Sequence, residues 1–247
     1  MSRTRIIPVL LLKNGGLYKT IKFKSATYVG DPINTVKIFN EKEADELVVL
    51  DFNASAENRA IDLKKIAEIA GEAFMPMAYG GGIKSMDDAR KVFDAGYEKV
   101  VLNSILFDKP DIIESIGSVY GAQAIVAAID VKKNFLGKYK VYSHSGTKST
   151  GYSPVEWARK LEGAGAGEIL VNSIDQDGTW AGYNVDLVES IAHQINIPLI
   201  ACGGAGNTED LKNAVAAGAS AVAAGSMFVY QKKGMGVLIS FPTGLKI

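Results

Sequence analysis

Two glycine runs stand where a chain can hold phosphate groups. The segments GGGI (80–83) and CGGAG (202–206) each follow an apolar stretch typical of a strand and precede a stretch typical of a helix. A backbone without Cβ atoms can approach an anion closely, and the free N–H groups at a helix start then point towards it. The alternative is that these glycines only form tight turns. Because the run occurs twice in matching places, the pattern favours two phosphate sites.

The matching places belong to a repeat. Gly81 and Gly203 lie 122 residues apart, and so do Ser104 and Ser226. A constant offset of this kind indicates two duplicated halves. The strand after each glycine run ends in residues that offer further N–H groups and a hydroxyl, namely Asn103 and Ser104 in one half and Gly225 and Ser226 in the other. Two such phosphate cups at one end of a fold predict a ligand that carries a phosphate at each end.

Carboxylates close several of the predicted strands. Asp130 ends the fifth strand, Asp51 ends the second, and Asp175 and Asp177 follow the sixth. In a barrel of parallel strands, an acid at the C-terminal end of a strand is typical of catalysis or ligand binding. We therefore predict a catalytic role for Asp130, whereas Asp175 is expected to cap a loop.

Eight short apolar runs alternate with amphipathic stretches and provide the frame for these residues. The predicted strands are Arg5–Leu10, Glu46–Asp51, Met75–Tyr79, Lys99–Asn103, Ala124–Asp130, Glu168–Ser173, Pro198–Cys202 and Ala221–Gly225. Continuous apolar runs are typical of parallel strands covered on both faces. With 247 residues, close to the length of about 250 usual for this fold, the chain is predicted to form one (βα)₈ TIM barrel, an α/β fold built from two half-barrels, as a single domain over residues 1–247.

Two segments interrupt the alternation. Residues 13–30 and 131–151 are predicted to form loops with small hairpins after strands one and five. Loops at that end of a barrel hold active sites. Four helices are predicted to begin at residues that favour helix starts, namely Asp31-Pro32, Ser85, Ser153-Pro154 and Asn207-Thr208.

The opposite end of the predicted barrel carries charges. Arg5, Glu46, Lys99 and Glu168 lie at the starts of strands one, two, four and six. Such charges are usually solvated strand ends. Because their signs alternate, however, they are also able to form a closed ring of salt bridges that plugs or gates a central passage.

The overall composition excludes several classes of protein. Lys plus Arg equals Asp plus Glu, so the net charge is zero and nothing favours nucleic acid or a membrane surface as a partner. The single cysteine, Cys202, excludes an internal disulfide, and the two histidines give no metal-ligand spacing. We expect a cytoplasmic protein without a metal or another cofactor.

These residues together resemble the HisF family, the cyclase subunits of imidazole glycerol phosphate synthase. The resemblance extends over nearly the whole length of the chain. It rests on the segments RIIPVL, GDP at 30–32, ADELVVLDFNAS, YGGGIKSMDDA, EKVVLNS, AIVAAIDVK, STGYSPVEWA, GAGEILVNSIDQDGT, IPLIACGGAG and AVAAGSMF.

The resemblance implies an ammonia-using subunit. A HisH-like glutaminase would dock on the N-terminal face of the barrel, and ammonia would enter through a gate that matches the charged ring. The resemblance also makes Asp130 one of two catalytic aspartates and Lys19 the lysine of a mobile loop. Its phosphate-binding positions match Gly82, Asn103, Ser104, Asp177, Gly178, Gly204, Gly225 and Ser226. Asp51 and Ser145 are further ligand-binding candidates.

The chain departs from the family in two places. The family carries its other catalytic aspartate where this chain has Leu11, and leucine cannot transfer a proton. Loss of one general acid or base typically costs about 10²–10⁴-fold in rate. The segment after SMF is short, interrupted by glycines and strand-like, where the family continues into a long helix.

Both departures resemble a side branch of HisF-like proteins from bacterial surface-polysaccharide clusters. The resemblance implies work with a glutaminase and a sugar amidotransferase that convert an N-acetyl group of a nucleotide-linked sugar into an acetamidino group. Three functions therefore stay open. They are ammonia supply for sugar amidation, cyclisation in histidine biosynthesis, and a non-catalytic ammonia conduit or scaffold.

Overall fold

The computed structural model describes residues 4–242, 244–245 and 247. Its strands are β1 (Arg5–Lys13), β2 (Gly16–Ile21), β3 (Lys24–Gly30), β4 (Leu47–Asp51), β5 (Met77–Gly80), β6 (Lys99–Leu102), β7 (Ile125–Lys133), β8 (Tyr139–Ser143), β9 (Lys148–Ser149), β10 (Glu168–Ser173), β11 (Leu199–Cys202) and β12 (Ala221–Ala224). Its helices are α1 (Pro32–Glu41), α2 (Leu63–Ala70), α3 (Met86–Asp94), α4 (Ile105–Asp108), α5 (Ile112–Tyr120), α6 (Pro154–Gly163), α7 (Val185–Ala192), α8 (Thr208–Ala216) and α9 (Ser226–Val229).

Eight of these strands close into a parallel barrel. Their order is β1, β4, β5, β6, β7, β10, β11 and β12, and β12 returns to pair with β1. All eight neighbouring pairs are parallel. The prediction of a (βα)₈ barrel is confirmed, and each of the eight predicted strands is present.

The core forms two layers separated by the barrel wall. Inside the barrel, residues such as Ile7, Val48, Val126, Leu170 and Ile200 are fully buried against one another. A larger cluster outside the wall packs the strands against the helices. Because both faces of every barrel strand are covered, the strands appear in the sequence as continuous apolar runs.

The helices begin where the sequence predicts. The side chains of Asp31, Ser85, Ser153 and Asn207 each accept a hydrogen bond from a backbone N–H of the first helical turn. Such caps satisfy N–H groups that have no partner within the helix. None of the helices in the described residues is long and apolar enough to cross a membrane.

Two barrel strands extend beyond their predicted ends. The prediction ended the first strand at Leu10 and the fifth at Asp130, whereas β1 continues to Lys13 and β7 to Lys133. The extra residues pair with the antiparallel strands β2 and β8, so each barrel strand is also the first arm of a hairpin. Both predicted hairpins are therefore present, at the C-terminal ends of the barrel strands.

The end of the chain folds back onto the barrel's outer surface. After α9, Tyr230 forms an antiparallel bridge with Val237, which agrees with the strand-like character expected there. Phe241 then packs against Phe39 and Phe228, with ring centroids 6.4 Å and 5.5 Å away. These aromatic contacts cover the outer surface near α1.

Candidate functional site

The four predicted ring residues meet at the N-terminal opening of the barrel. Arg5 donates to Glu46 at 2.5 Å and to Glu168 at 3.0 Å. The Lys99 ammonium lies 3.0 Å from a Glu46 oxygen and 3.1 Å from a Glu168 oxygen. The side chains of Glu46 and Glu168 are only 3% and 11% exposed. Each buried carboxylate thus has two cationic partners, as a buried charge requires.

The first glycine run forms one cup at the other end of the barrel. Gly81 and Gly82 have φ values of +112° and +74°. A Cβ on Gly81 would lie 2.3 Å from the carbonyl oxygen of Asp51. Only glycine fits such a position, because both the backbone conformation and the space exclude a side chain. Asn103 and Ser104 line the same cavity from the end of β6.

The second glycine run forms an equivalent cup. Gly203 and Gly204 also have positive φ values, +89° and +113°. A Cβ on Gly204 would lie 2.1 Å from the carbonyl oxygen of Gly182. Gly225 and Ser226 line this cup just as Asn103 and Ser104 line the first one. The two halves therefore share the same local backbone, which supports duplication.

Lys19 lies inside the second cup. It is 6% exposed, and a Cβ on Gly225 would lie only 1.8 Å from its ammonium nitrogen. Burial lowers the pKa of Lys19, while the carboxylate of Asp177 opposes that shift. Within the described residues the ammonium forms no hydrogen bond or salt bridge. A buried cation without a bonded partner is costly, so this cup is suited to an anion.

The β2–β3 hairpin, which carries Lys19, is held at the second cup by hydrogen bonds to Asp177. Thr20 donates its hydroxyl to Asp177 at 3.0 Å, and the Lys22 N–H donates to the Asp177 carbonyl at 2.9 Å. Gly178 permits this contact, because a Cβ there would lie 2.4 Å from the Thr20 carbonyl oxygen. Asp177 and Gly178, both predicted to bind phosphate, hold the hairpin in place.

Asp130 lies between the two cups. It accepts a hydrogen bond from the Asn103 amide at 2.8 Å and is 9% exposed. Burial raises the pKa of this carboxyl to about 7, the Asn103 hydrogen bond opposes the shift, and the charge of Asp177 adds to it. A carboxyl with a pKa near neutrality can both take and return a proton at physiological pH.

The position opposite Asp130 is apolar. Leu11 pairs in register with Leu50, and both side chains line the first and second cups. The cavity lining contributed by these two residues is therefore hydrocarbon. Asp130 and Asp51 are the carboxylates among the described residues that line the first cup, and Asp177 lines the second.

Asp51 already has a strong partner. Arg59 binds its two oxygens at 2.8 Å and 2.9 Å, in the bidentate geometry that suits guanidinium and carboxylate. Arg59 in turn is held by Glu57. Ser145, the other added candidate, donates its hydroxyl to the Phe52 carbonyl at 2.7 Å and lines the first cup. Asp51 and Ser145 support the wall of this cup.

Two functional candidates were missed. Asn172, in register with Asp130, lines both cups and has a buried side-chain oxygen without a partner among the described residues. A polar side chain in the buried strand EILVNS is a signal that sequence reasoning had available. The sequence does not single out Arg59, because it lies in a loop eight residues after Asp51, where no helical or strand periodicity places its side chain. Asp175, as expected, caps a loop by accepting the Lys133 N–H.

Comparison with known proteins identifies the family. Residues 5–234 match the model of the family described as "Histidine biosynthesis protein". A Pseudomonas aeruginosa protein, provisionally named imidazole glycerol phosphate synthase subunit hisF2, is 51% identical over 98% of this chain and 97% of its own length. A provisionally named subunit HisF of Leptospira interrogans is 46% identical over 98% and 96%. The subunit HisF of Exiguobacterium sibiricum is 42% identical over 92% and 91%. The chain therefore belongs to the histidine biosynthesis protein family and, within it, to the HisF proteins.

Proposed function

We propose that this chain is a synthase subunit that accepts ammonia at its charged ring and delivers it to a ligand held by two phosphate cups. The observation that carries the proposal is the contrast between the two ends and the centre of the barrel. The four charged residues pair with one another at one end, both glycine cups form at the other, and Asp130 is the carboxyl in the first cup whose pKa is near neutrality.

The ring supports the ammonia route. Arg5, Glu46, Lys99 and Glu168 close the N-terminal opening, and a layer of buried aliphatic side chains lies directly above it. An apolar layer passes neutral ammonia far more readily than ammonium, because an unpaired charge is expensive to bury. A lysine is the ring member best able to swing aside, since its flexible stem carries a single point charge. The partner we propose is a HisH-like glutaminase that releases ammonia at this face.

The second cup supports a phosphorylated ligand. Lys19 places a buried positive charge beside the N–H groups of Gly204 and Gly225. A phosphate there would supply the negative charge that this ammonium lacks. The first cup, lined by Gly81, Asn103 and Ser104, offers N–H and hydroxyl donors, but no lysine is among the described residues that line it, so we expect it to hold phosphate more weakly.

Leu11 supports a role in sugar amidation rather than histidine biosynthesis. The cyclase chemistry of the family depends on two aspartates, and this barrel lacks one of them. We propose that the ammonia serves formation of an acetamidino group on a surface-polysaccharide sugar, together with a sugar amidotransferase. The alternative is a cyclase of histidine biosynthesis, and Asp130, buried beside Asn103 with a near-neutral pKa, is the observation that favours it.

Complementation tests these two functions against each other. The chain is expressed in a histidine auxotroph that lacks its cyclase subunit but keeps the glutaminase, beside an authentic HisF as the positive control. We expect no growth without histidine. Growth would overturn sugar amidation as the main role. A sugar amidotransferase gene beside the gene for this chain would support amidation, and a histidine operon would support the cyclase.

Titration with inorganic phosphate tests the third function, a conduit without a ligand. We expect the wild-type chain to bind phosphate, and the Lys19→Met variant to bind it at least about tenfold more weakly, since a charge-assisted contact contributes about 1.5–3 kcal/mol. A wild-type chain that binds no phosphate would favour the scaffold and contradict the proposed site.

A further inference from the structure

The β7–β8 hairpin carries an exposed apolar tip. Phe135 and Leu136 are 94% and 65% exposed, and both lie in the turn that joins the two strands. Beyond Val131, which still pairs with Ser173 of the barrel, β7 pairs with β8 alone. At about 3.3 Å per residue, the turn extends roughly 10 Å past the barrel edge.

Lysines surround this tip. Lys132, Lys133, Lys138 and Lys140 lie within residues 131–140, a segment without any acidic residue. In the part of the chain that the structure describes, none of the four forms a salt bridge. Two of them rest on tyrosine rings, and Lys140 donates to the Gly151 carbonyl at 2.7 Å. The nearby Asp175 accepts the backbone N–H of Lys133. The tip is therefore strongly and locally positive.

The β2–β3 hairpin adds to the same surface. Its turn exposes Ile21, at 56%, together with Lys22 and Lys24. The β2–β3 turn packs on the segment that follows β8, where a Cβ on Gly146 would lie 3.2 Å from the ring of Phe23. Both hairpin turns at the C-terminal end of the barrel thus expose an apolar side chain together with lysines.

We propose that these two turns dock the protein on an anionic lipid bilayer. Phe135 and Leu136 enter the interface between headgroups and acyl chains, and the lysines contact the lipid phosphates. The composition favours lipid over a protein partner, because lysine is depleted from protein interfaces, whereas lysines around an apolar tip complement an anionic leaflet. The proposal departs from the expectation drawn from zero net charge, since that balance describes the whole chain and conceals a local cluster.

Docking in this way orients the barrel. The C-terminal ends of the strands, with both cups, would face the bilayer, and the ring of Arg5, Glu46, Lys99 and Glu168 would face away from it. The entrance for ammonia stays free for a glutaminase. The membrane-docking proposal rests on the two hairpins alone, so a test of it does not depend on whether ammonia enters through the charged ring.

Vesicle co-sedimentation of the full chain tests the proposal. Vesicles of phosphatidylglycerol and phosphatidylcholine in equal amounts are compared with phosphatidylcholine alone. We expect binding to the anionic vesicles only, with a loss at high salt because the charges are exposed. The double variant Phe135→Ser/Leu136→Ser should bind at least about tenfold more weakly, and Lys133→Gln with Lys138→Gln about fivefold more weakly per lysine.

Phe74→Ser is the matched control. This phenyl ring is 90% exposed, but it lies in the loop before β5 and therefore at the opposite end of the barrel. It should leave vesicle binding unchanged, and circular dichroism should show all variants folded. Equal binding to both vesicle types, no binding, or an equal loss from Phe74→Ser would overturn the proposal. So would a tip variant that binds vesicles normally but loses a protein partner.

Discussion

Replacement of Asp130 by asparagine should stabilise the protein in a way that depends on pH. The carboxyl has a pKa of about 7 when folded, because burial disfavours its charged form, against an ordinary value of 3.8. Between these values the folded state holds a proton that the unfolded state releases, so stability falls as the pH rises. Above about pH 7 the Asp130 carboxyl is ionised in both the folded and the unfolded state, so burial of its charge then lowers the free energy of unfolding by the full amount. The difference between the two pKa values corresponds to a loss of at most about 4 kcal/mol in the free energy of unfolding.

Asparagine at position 130 cannot ionise and keeps the size of the side chain. We therefore expect the variant to match the wild type near pH 4 and to exceed it by up to about 4 kcal/mol near pH 8. Urea unfolding at a series of pH values measures the difference. Asp111→Asn is the control, since Asp111 is exposed and its side chain caps no helix. A difference between variant and wild type that stays constant with pH would refute the reasoning from burial.

Three further changes test other parts of the barrel. Lys99→Met leaves the buried Glu46 and Glu168 with one cation, so it should cost about 3 kcal/mol in unfolding experiments and alter the coupling of glutamine hydrolysis to product; unchanged coupling contradicts the gate. Gly225→Ala places a methyl group on the Lys19 ammonium and should weaken phosphate binding about tenfold by calorimetry, whereas equal affinity would mean that the cup is open to side chains. Leu11→Asp should raise cyclase activity with added ammonia by at least about tenfold; no rise would show that Leu11 is not the sole lesion.

The fold could be predicted because its signals are local. Continuous apolar runs mark the eight strands, and Asp31, Ser85, Ser153 and Asn207 mark helix starts through hydrogen bonds within one turn. The prediction was wrong about where β1 and β7 end. Residues after a barrel strand continue in the same direction only if a hairpin partner is available, and that partner is chosen by tertiary packing.

The site could be predicted only where one residue type is required. Gly81 and Gly204 are fixed by positive φ and by close backbone approach, so their role is visible in the sequence. The position of Lys19 is different. Its side chain contacts Gly225 from a hairpin more than 200 residues earlier in the chain. No spacing between residues in the sequence predicts that contact.

Leu11 changes how the centre of the barrel can work. In a site with two carboxylates, each charge raises the pKa of the other, and the pair can divide the tasks of acid and base. Here Leu11 and Leu50 line the same cavity as Asp130, and burial is the largest cause of its raised pKa, with the charge of Asp177 adding to the shift. A single carboxyl in that state can take a proton and return it at physiological pH. In the proposed function Asp130 therefore transfers protons to and from the ligand, and Leu11 supplies none.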